Sequence, residues 1–196
     1  TQTARLTVAV GPDALYPTLR AAIEAATSTL RIQAYTFEQT ALAQIVAARA
    51  AAGVSVTVLL DGSPAGGPSD QERWVCQEIE AAGGRCYFTI DDPAGDIAAR
   101  YAHQHAKYLI VDGTLALVGS ENLSMASMPY DDLANGTAGQ RGVYLVTDAP
   151  GVVAHLEALF ARDLDPVEPN PAHVGREGER RKVGRLANVQ VGTPLE

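Results

Sequence analysis

The stretch His103-Gln-His105-Ala-Lys107-Tyr-Leu-Ile-Val-Asp112-Gly113-Thr-Leu115-Ala-Leu-Val-Gly119-Ser120-Glu121-Asn122 decides the fold. Lys107 to Asp112 and Leu115 to Gly119 are two apolar runs joined at Asp112-Gly113, a hairpin dipeptide. Side chains alternate across a strand, so His105 and Lys107, two residues apart, face the same side. Asp112 lies five residues beyond Lys107 and faces the opposite side or begins the turn. Ser120 and Asn122 close the second strand, where their side chains can come near His105 and Lys107.

Outward from the hairpin, helix and strand patterns alternate. Pro12 to Ser28 carries a helical apolar stripe at Leu15, Leu19, Ala22, Ile23 and Ala26. Thr29 to Phe37 alternates as a strand, Gln39 to Ala52 is an Ala-rich helix stopped by Gly53, and Val54 to Asp61 is a β-branched strand. Gly62 to Pro68 is a Gly- and Pro-rich loop. Ser69 to Ala82 reads as a helix with Ser69 as N-cap, and Arg85 to Ile90 as a strand. An acidic loop spans Asp91 to Arg100, and a long polar loop spans Glu121 to Gln140. Gly142 to Thr147 is a strand, and Pro150 to Asp163 a closing helix with Val153, Leu156, Leu159 and Phe160 on one face. This order predicts an α/β fold, a mixed β-sheet flanked by helices on both faces. Residues 1–165 form the domain. Residues 166–196, rich in Pro, Gly, Arg and Glu, are expected to be a tail or linker. No internal repeat is present.

The chain has 196 residues, of which 46% are hydrophobic, enough for one domain with a sizeable core. Its net charge is −8, and residues from Pro166 onward contribute five basic and four acidic side chains, so the acidic excess lies in the body. That disfavours broad nonspecific nucleic-acid binding, which needs an extended basic surface. It leaves room for a small positive pocket around one phosphate. No apolar run approaches the ~20 residues that span a bilayer. No signal peptide is visible and the first residue is Thr, as expected of a mature form or a piece of a longer protein. Cys76 and Cys86 fall on a predicted helix and the strand after it. They either form a disulfide or are two small buried residues. A disulfide points to an exported protein, so a bacterial-type secreted or extracellular setting is favoured over the cytoplasm.

Lysine is used only at Lys107 and Lys182, against thirteen arginines. Lys107 opens an apolar strand, where lysine is a poor core residue and a compact ammonium suits a phosphate oxygen. The plain alternative is a lysine snorkelling at a strand end.

His105-Ala-Lys107-Tyr-Leu-Ile-Val-Asp112, followed after six residues by Gly119-Ser120-Glu121-Asn122, resembles the His-x-Lys-x4-Asp and Gly-Ser-x-Asn signature of the phospholipase D superfamily. The resemblance extends over about residues 6 to 166. It takes in Thr29 to Asp61 as the opening strand-helix-strand, and Arg141 through the Leu156/Phe160 helix as the closing unit. It implies that His105 attacks phosphorus through Nε2 to form a phosphohistidine, dividing one hard displacement into two steps. It implies that Lys107, Ser120 and Asn122 hold nonbridging oxygens, that Asp112 orients the strand or loop, and that no metal or other cofactor is needed. A second histidine, from a second motif, would protonate the leaving oxygen.

Only one motif is present. Either two identical chains join half-sites across a twofold axis, or the chain is half of a two-motif protein; the Pro-rich tail and first-residue Thr tilt toward the latter. The sequence departs from the family pattern at Gly142, where members often carry an acid that hydrogen-bonds the nucleophile's other nitrogen. Asp131 or Asp132 could substitute. His103, Glu121, Asp131 and Asp132 are therefore candidates for the rim or support of the site.

His103-x-His105 could chelate zinc, but only two other histidines, His155 and His173, exist to complete a site. Asp91-Asp92-Asp96 and Asp131-Asp132 match no EF-hand and read as solvated loop charge. Tyr35, Phe37 and Glu38 border the site as pocket lining or core, and Trp74 reads as core. Arg180-Arg181-Lys182 reads as a solvated run. The functional expectation is phosphodiester hydrolysis or phosphatidyl transfer on a phospholipid or single-stranded nucleic acid. Its rival is a noncatalytic phosphate-binding or dimerisation half-domain.

Overall fold

The computed structural model describes residues 3–89, 101–130, 139–164 and 186–187. Strand β1 (Leu6–Val10) leads into helix α1 (Leu15–Glu24), then β2 (Thr29–Ala34), α2 (Thr40–Ala51), β3 (Ser55–Asp61), α3 (Asp70–Ala81) and β4 (Arg85–Thr89). The hairpin β5 (Lys107–Val111) and β6 (Leu115–Gly119) follows, then β7 (Val143–Thr147), α4 (Pro150–Leu164) and β8 (Leu186–Ala187). They form one mixed sheet in the order β1-β7-β6-β5-β2-β3-β4-β8. The β2–β3 and β3–β4 pairs are parallel and the others antiparallel.

Alternation assigns the two faces. Leu30, Ile32, Val56, Val58, Leu109, Val111 and Leu117 join Leu15, Leu19, Ile23, Leu42, Val46, Val75 and Ile79 in the main core beneath α1, α2 and α3. Leu59, Tyr108, Ile110 and Ala116 point the other way, against Val153 and Phe160 of α4. The expected mixed sheet with helices on both faces is therefore what the chain forms. Ser69 caps α3 in a reciprocal capping box with Glu72, satisfying two backbone donors at the helix start. Cys76 of α3 and Cys86 of β4 are disulfide-bonded, with Cα atoms 5.3 Å apart.

Three details differ from the sequence reading. The Pro12 helix begins at Leu15, because the Ala14 amide first turns back to the Val10 carbonyl (3.1 Å). Leu6–Val10, unassigned in sequence, is an edge strand paired with Val143–Thr147. Within the expected tail, Leu186–Ala187 pairs antiparallel with Phe88–Thr89. The Asp91–Arg100 loop, Asp131, Asp132 and the rest of the tail lie outside the described residues. Among the described residues no helix is long and apolar enough to cross a membrane.

Candidate active site

The β2 and β5 register pairs Ala34 with Lys107 at one end and Leu30 with Val111 at the other. The site lies at the Ala34/Lys107 end. There Gln104, itself buried, ties down the approach to β5. Its amide donates to Asp61 Oδ2 (2.6 Å), its Nε2 donates to the carbonyls of Ala34 (3.2 Å) and Leu59 (3.3 Å), and its Oε1 accepts from the Ala106 amide (2.9 Å). Asp61 Oδ1 accepts from the Ser63 amide (2.7 Å). These bonds fix the backbone from which His103 and His105 project. The sequence reading missed Gln104 and Asp61 in this role; a Gln and an Asp at strand ends carry no distinctive spacing.

Lys107 Nζ lies 2.9 Å from His105 Nδ1 and donates to the His105 carbonyl at 2.9 Å. The lysine is buried, whereas the histidine is open to solvent. Tyr35, just past β2, walls both: its ring centroid is 4.5 Å from that of His105 and 5.3 Å from Lys107 Nζ. The latter is a cation–π contact. Burial, with Lys107 and His103 nearby, holds the His105 pKa below its ordinary value. Burial also lowers the Lys107 pKa, and Glu121 opposes that shift. His103 stands on the rim, 60% exposed, with Nδ1 4.0 Å from Asp61 Oδ2. A cleft of about 250 Å³ runs from His103 and His105 past Tyr101 and Gln33 to Asp163. Phe37 is core, whereas Glu38 Oε1 accepts from Ser69 Oγ (2.7 Å) and Trp74 is partly buried against the core.

Ser120 and Asn122 arrive at the same end of the sheet, because Tyr108 pairs with Val118 and the hairpin continues toward Lys107 and Gly119. The glycine before Ser120 is required sterically. A Cβ on Gly119 would lie 2.3 Å from the Tyr144 ring, whose hydroxyl donates to the Glu121 carbonyl (2.9 Å). Ser120 Oγ accepts from the Val143 amide (3.1 Å) and donates to Glu121 Oε1 (3.3 Å). The next residues dock onto the end of β2: Leu123 bridges to Phe37, and its carbonyl accepts from the Glu38 and Gln39 amides. Asn122 Oδ1 is buried without a hydrogen-bond partner among the described residues. A buried amide oxygen left unpaired costs about 1–3 kcal/mol unless something fills the site.

Asp112 is elsewhere. It ends β5 at the Leu30/Val111 side, about 17 Å along the strand from Lys107. Its carboxylate accepts from the amides of Thr27 (2.9 Å), Ser28 (2.8 Å) and Thr29 (2.8 Å) and from the hydroxyls of Thr27 (2.8 Å) and Ser28 (2.9 Å). The structure thus places His105, Lys107, Ser120 and Asn122 at one end of the sheet and Asp112 at the other, as an anchor of the strand's far end.

The departure at Gly142 has a counterpart across the sheet. The Glu121 side chain occupies the space over Gly142, where an added Cβ would lie 2.1 Å from both Cγ and Oε1 of Glu121.

The sheet, with a histidine, a lysine, a hydroxyl and a carboxamide brought to one end of it, fits a domain of the phospholipase D-like class. The family model described as cardiolipin synthase, PLD-like domain matches residues 19–164, and the chain belongs to that family. No curated protein matches it. Among solved structures it is similar to the phospholipase D family member Nuc from Salmonella typhimurium, with 17% identity and a TM-score of 0.67 over 95% of this chain and 100% of that one. It is also similar to NucT from Helicobacter pylori, with 18% identity and a TM-score of 0.62 over 81% of this chain and 94% of that one. For phosphatidylserine synthase from Haemophilus influenzae Rd KW20 the values are 14% and 0.56, over 83% of this chain and 39% of that one. At these identities the likeness is one of fold.

Proposed function

We propose that the protein cleaves or transfers phosphodiesters through a covalent phosphohistidine at His105, in a site completed by a second copy of the chain. The observation that carries this is a solvent-open imidazole 2.9 Å from a buried ammonium, at the strand end that also bears Ser120 and Asn122. His105 Nε2 forms the bond to phosphorus as the bond to the leaving oxygen breaks. Lys107, Ser120 and Asn122 stabilise the charge on the nonbridging oxygens. A half-turn of the Asn122 carboxamide exchanges its oxygen for a donor NH₂. The copy's own histidine, entering in its protonated form, gives its proton to the leaving oxygen; as a base it then takes the proton of the water or alcohol that displaces the phosphoryl group from His105. The acidic body favours a phospholipid-type diester, with a short single strand of nucleic acid second.

A second copy is favoured by an uncovered apolar face. Leu6, Val8, Val10, Val118, Val143 and Leu145 are exposed, and their register places them on the α4 side of the sheet, beyond the helix's reach among the described residues. The patch begins beside Ser120, whose amide donates to the Val143 carbonyl. A contiguous apolar surface of this kind marks an interaction site. A twofold axis through it would bring two half-sites together. The Val8→Asp/Leu145→Asp double variant is expected to sediment as a monomer and to lose about 10²–10⁴-fold in turnover, the worth of a general acid. A monomeric, fully active wild type would contradict the pairing.

One observation favours the noncatalytic alternative. An ammonium donating to Nδ1 of a neutral imidazole leaves the proton on Nε2, the nitrogen that must attack. Catalysis requires Lys107 to turn to the phosphate when substrate arrives. Phosphatidylcholine, phosphatidylglycerol and short single-stranded DNA, each assayed with EDTA and acid-free trapping of phosphohistidine, separate the two readings. Turnover with an adduct on His105 is expected. Absence of adduct and turnover with every diester would leave only the phosphate-binding module.

A further inference from the structure

The strand end that carries Ser120 also holds a carboxylate, Glu121, in a fixed place. Glu121 Oε2 accepts from the buried Ser127 hydroxyl (2.9 Å), and Oε1 accepts from Ser120 (3.3 Å). Its methylene and carboxylate fill the place a side chain at position 142 would take, so only glycine there permits this pose. Glu121 is also close enough to Lys107 to oppose the lowering of the lysine's pKa by burial.

We propose that Glu121 is a specificity-determining residue, whose carboxylate over Gly142 admits singly charged phosphodiesters and turns away doubly charged phosphomonoesters. This rests on the phosphate grip read above and deepens it. A phosphate oxygen accepting from Ser120 Oγ at an ordinary distance of about 2.7 Å lies within about 6 Å of Glu121 Oε1. Ser120 has one proton, which it now gives to Glu121, so the ligand must compete for it. A diester carries one negative charge, which the Lys107 ammonium can offset while the carboxylate stays in place. A monoester, with a second ionisation near pH 6, carries about two charges at pH 8 and meets roughly double the repulsion. The grip thus discriminates by charge as well as by shape, through a penalty against the wrong ligand.

The test compares dimethyl phosphate with methyl phosphate at pH 8, titrated into the wild-type protein and read from the His105 imidazole resonances. Glu121→Gln, which keeps the shape and one of the two accepting oxygens while removing the charge, is expected to shift the affinity ratio about tenfold toward methyl phosphate. Gly142→Ala, whose methyl group displaces Glu121 from its seat, is expected to shift the ratio the same way and decides the matter if the first variant does not fold. An unchanged ratio, equal weakening of both ligands as a merely structural role would give, or no binding of either to the wild type would overturn the proposal. Turnover is not needed for this readout. A protein that shows the charge selectivity but forms no phosphohistidine would refute the catalytic reading and leave this one standing.

Discussion

His105→Asn is expected to lower diester turnover by at least about 10⁴-fold, and Lys107→Met by about 10²–10³-fold. The first loss is larger because it removes the nucleophile itself, and only the grip's residual stabilisation survives. The second reflects one charged donor to a nonbridging oxygen, typically worth ~2.7–4 kcal/mol in the transition state. The lysine also acts on the histidine. Burial lowers the His105 pKa most, and the Lys107 charge 2.9 Å away adds to the effect. Removing that charge raises the pKa of His105, so more of the imidazole is protonated at a given pH. The acid limb of the kcat/KM profile should therefore move to higher pH in Lys107→Met. A large rate loss with an unmoved limb would mean that Lys107 serves by packing alone, and active His105→Asn would end the phosphohistidine scheme.

Asp112→Ala is expected to cost about 3 kcal/mol of stability at pH 7, read as a lower denaturant midpoint, because five donors would lose a charged acceptor together. Burial pushes the Asp112 pKa up, but hydrogen bonds from Thr29, Ser28 and Thr27 more than offset it and hold the carboxyl far below its ordinary range. A carboxyl depressed in the folded state contributes stability in full above its unfolded pKa of about 3.9, and loses it as pH falls toward the folded value. The gap between wild type and variant should therefore narrow below about pH 4. Asp112→Asn should lose less, since it keeps an acceptor and tolerates the backbone φ of 51° at this position. Turnover per folded molecule should stay near wild type in both, in contrast to the variants at the other strand end. A collapse of kcat with unchanged stability would move Asp112 back into the reacting group.

The helices and the parallel strands were legible because their apolar periods are strong and their punctuation, Gly53, Ser69 and Gly83-Gly84, is local. The pairing of His105 with Lys107 was legible for the same kind of reason, since strand parity alone puts them on one side. Asp112 was only half legible. Parity separates it from Lys107, but its five donors come from Thr27 to Thr29, more than 80 residues away, and no spacing announces them. Glu121 was visible as a rim residue, yet its seat over Gly142 depends on two strands meeting across a long loop. Leu6–Val10 alternates as a strand should. Its apolar side, however, faces outward, so nothing in the neighbouring pattern called for it.

The contact between the Tyr144 ring and Gly119 has a practical corollary for anyone altering this protein. Even the smallest added side chain at position 119 would collide with a ring that has no free volume to retreat into, since Tyr144 is wholly buried. Libraries that diversify the loop from Ser120 to Met128 to change what is accepted should hold 119 and 144 constant, or vary them jointly. The aromatic ring is the template on which the loop's first residue is shaped.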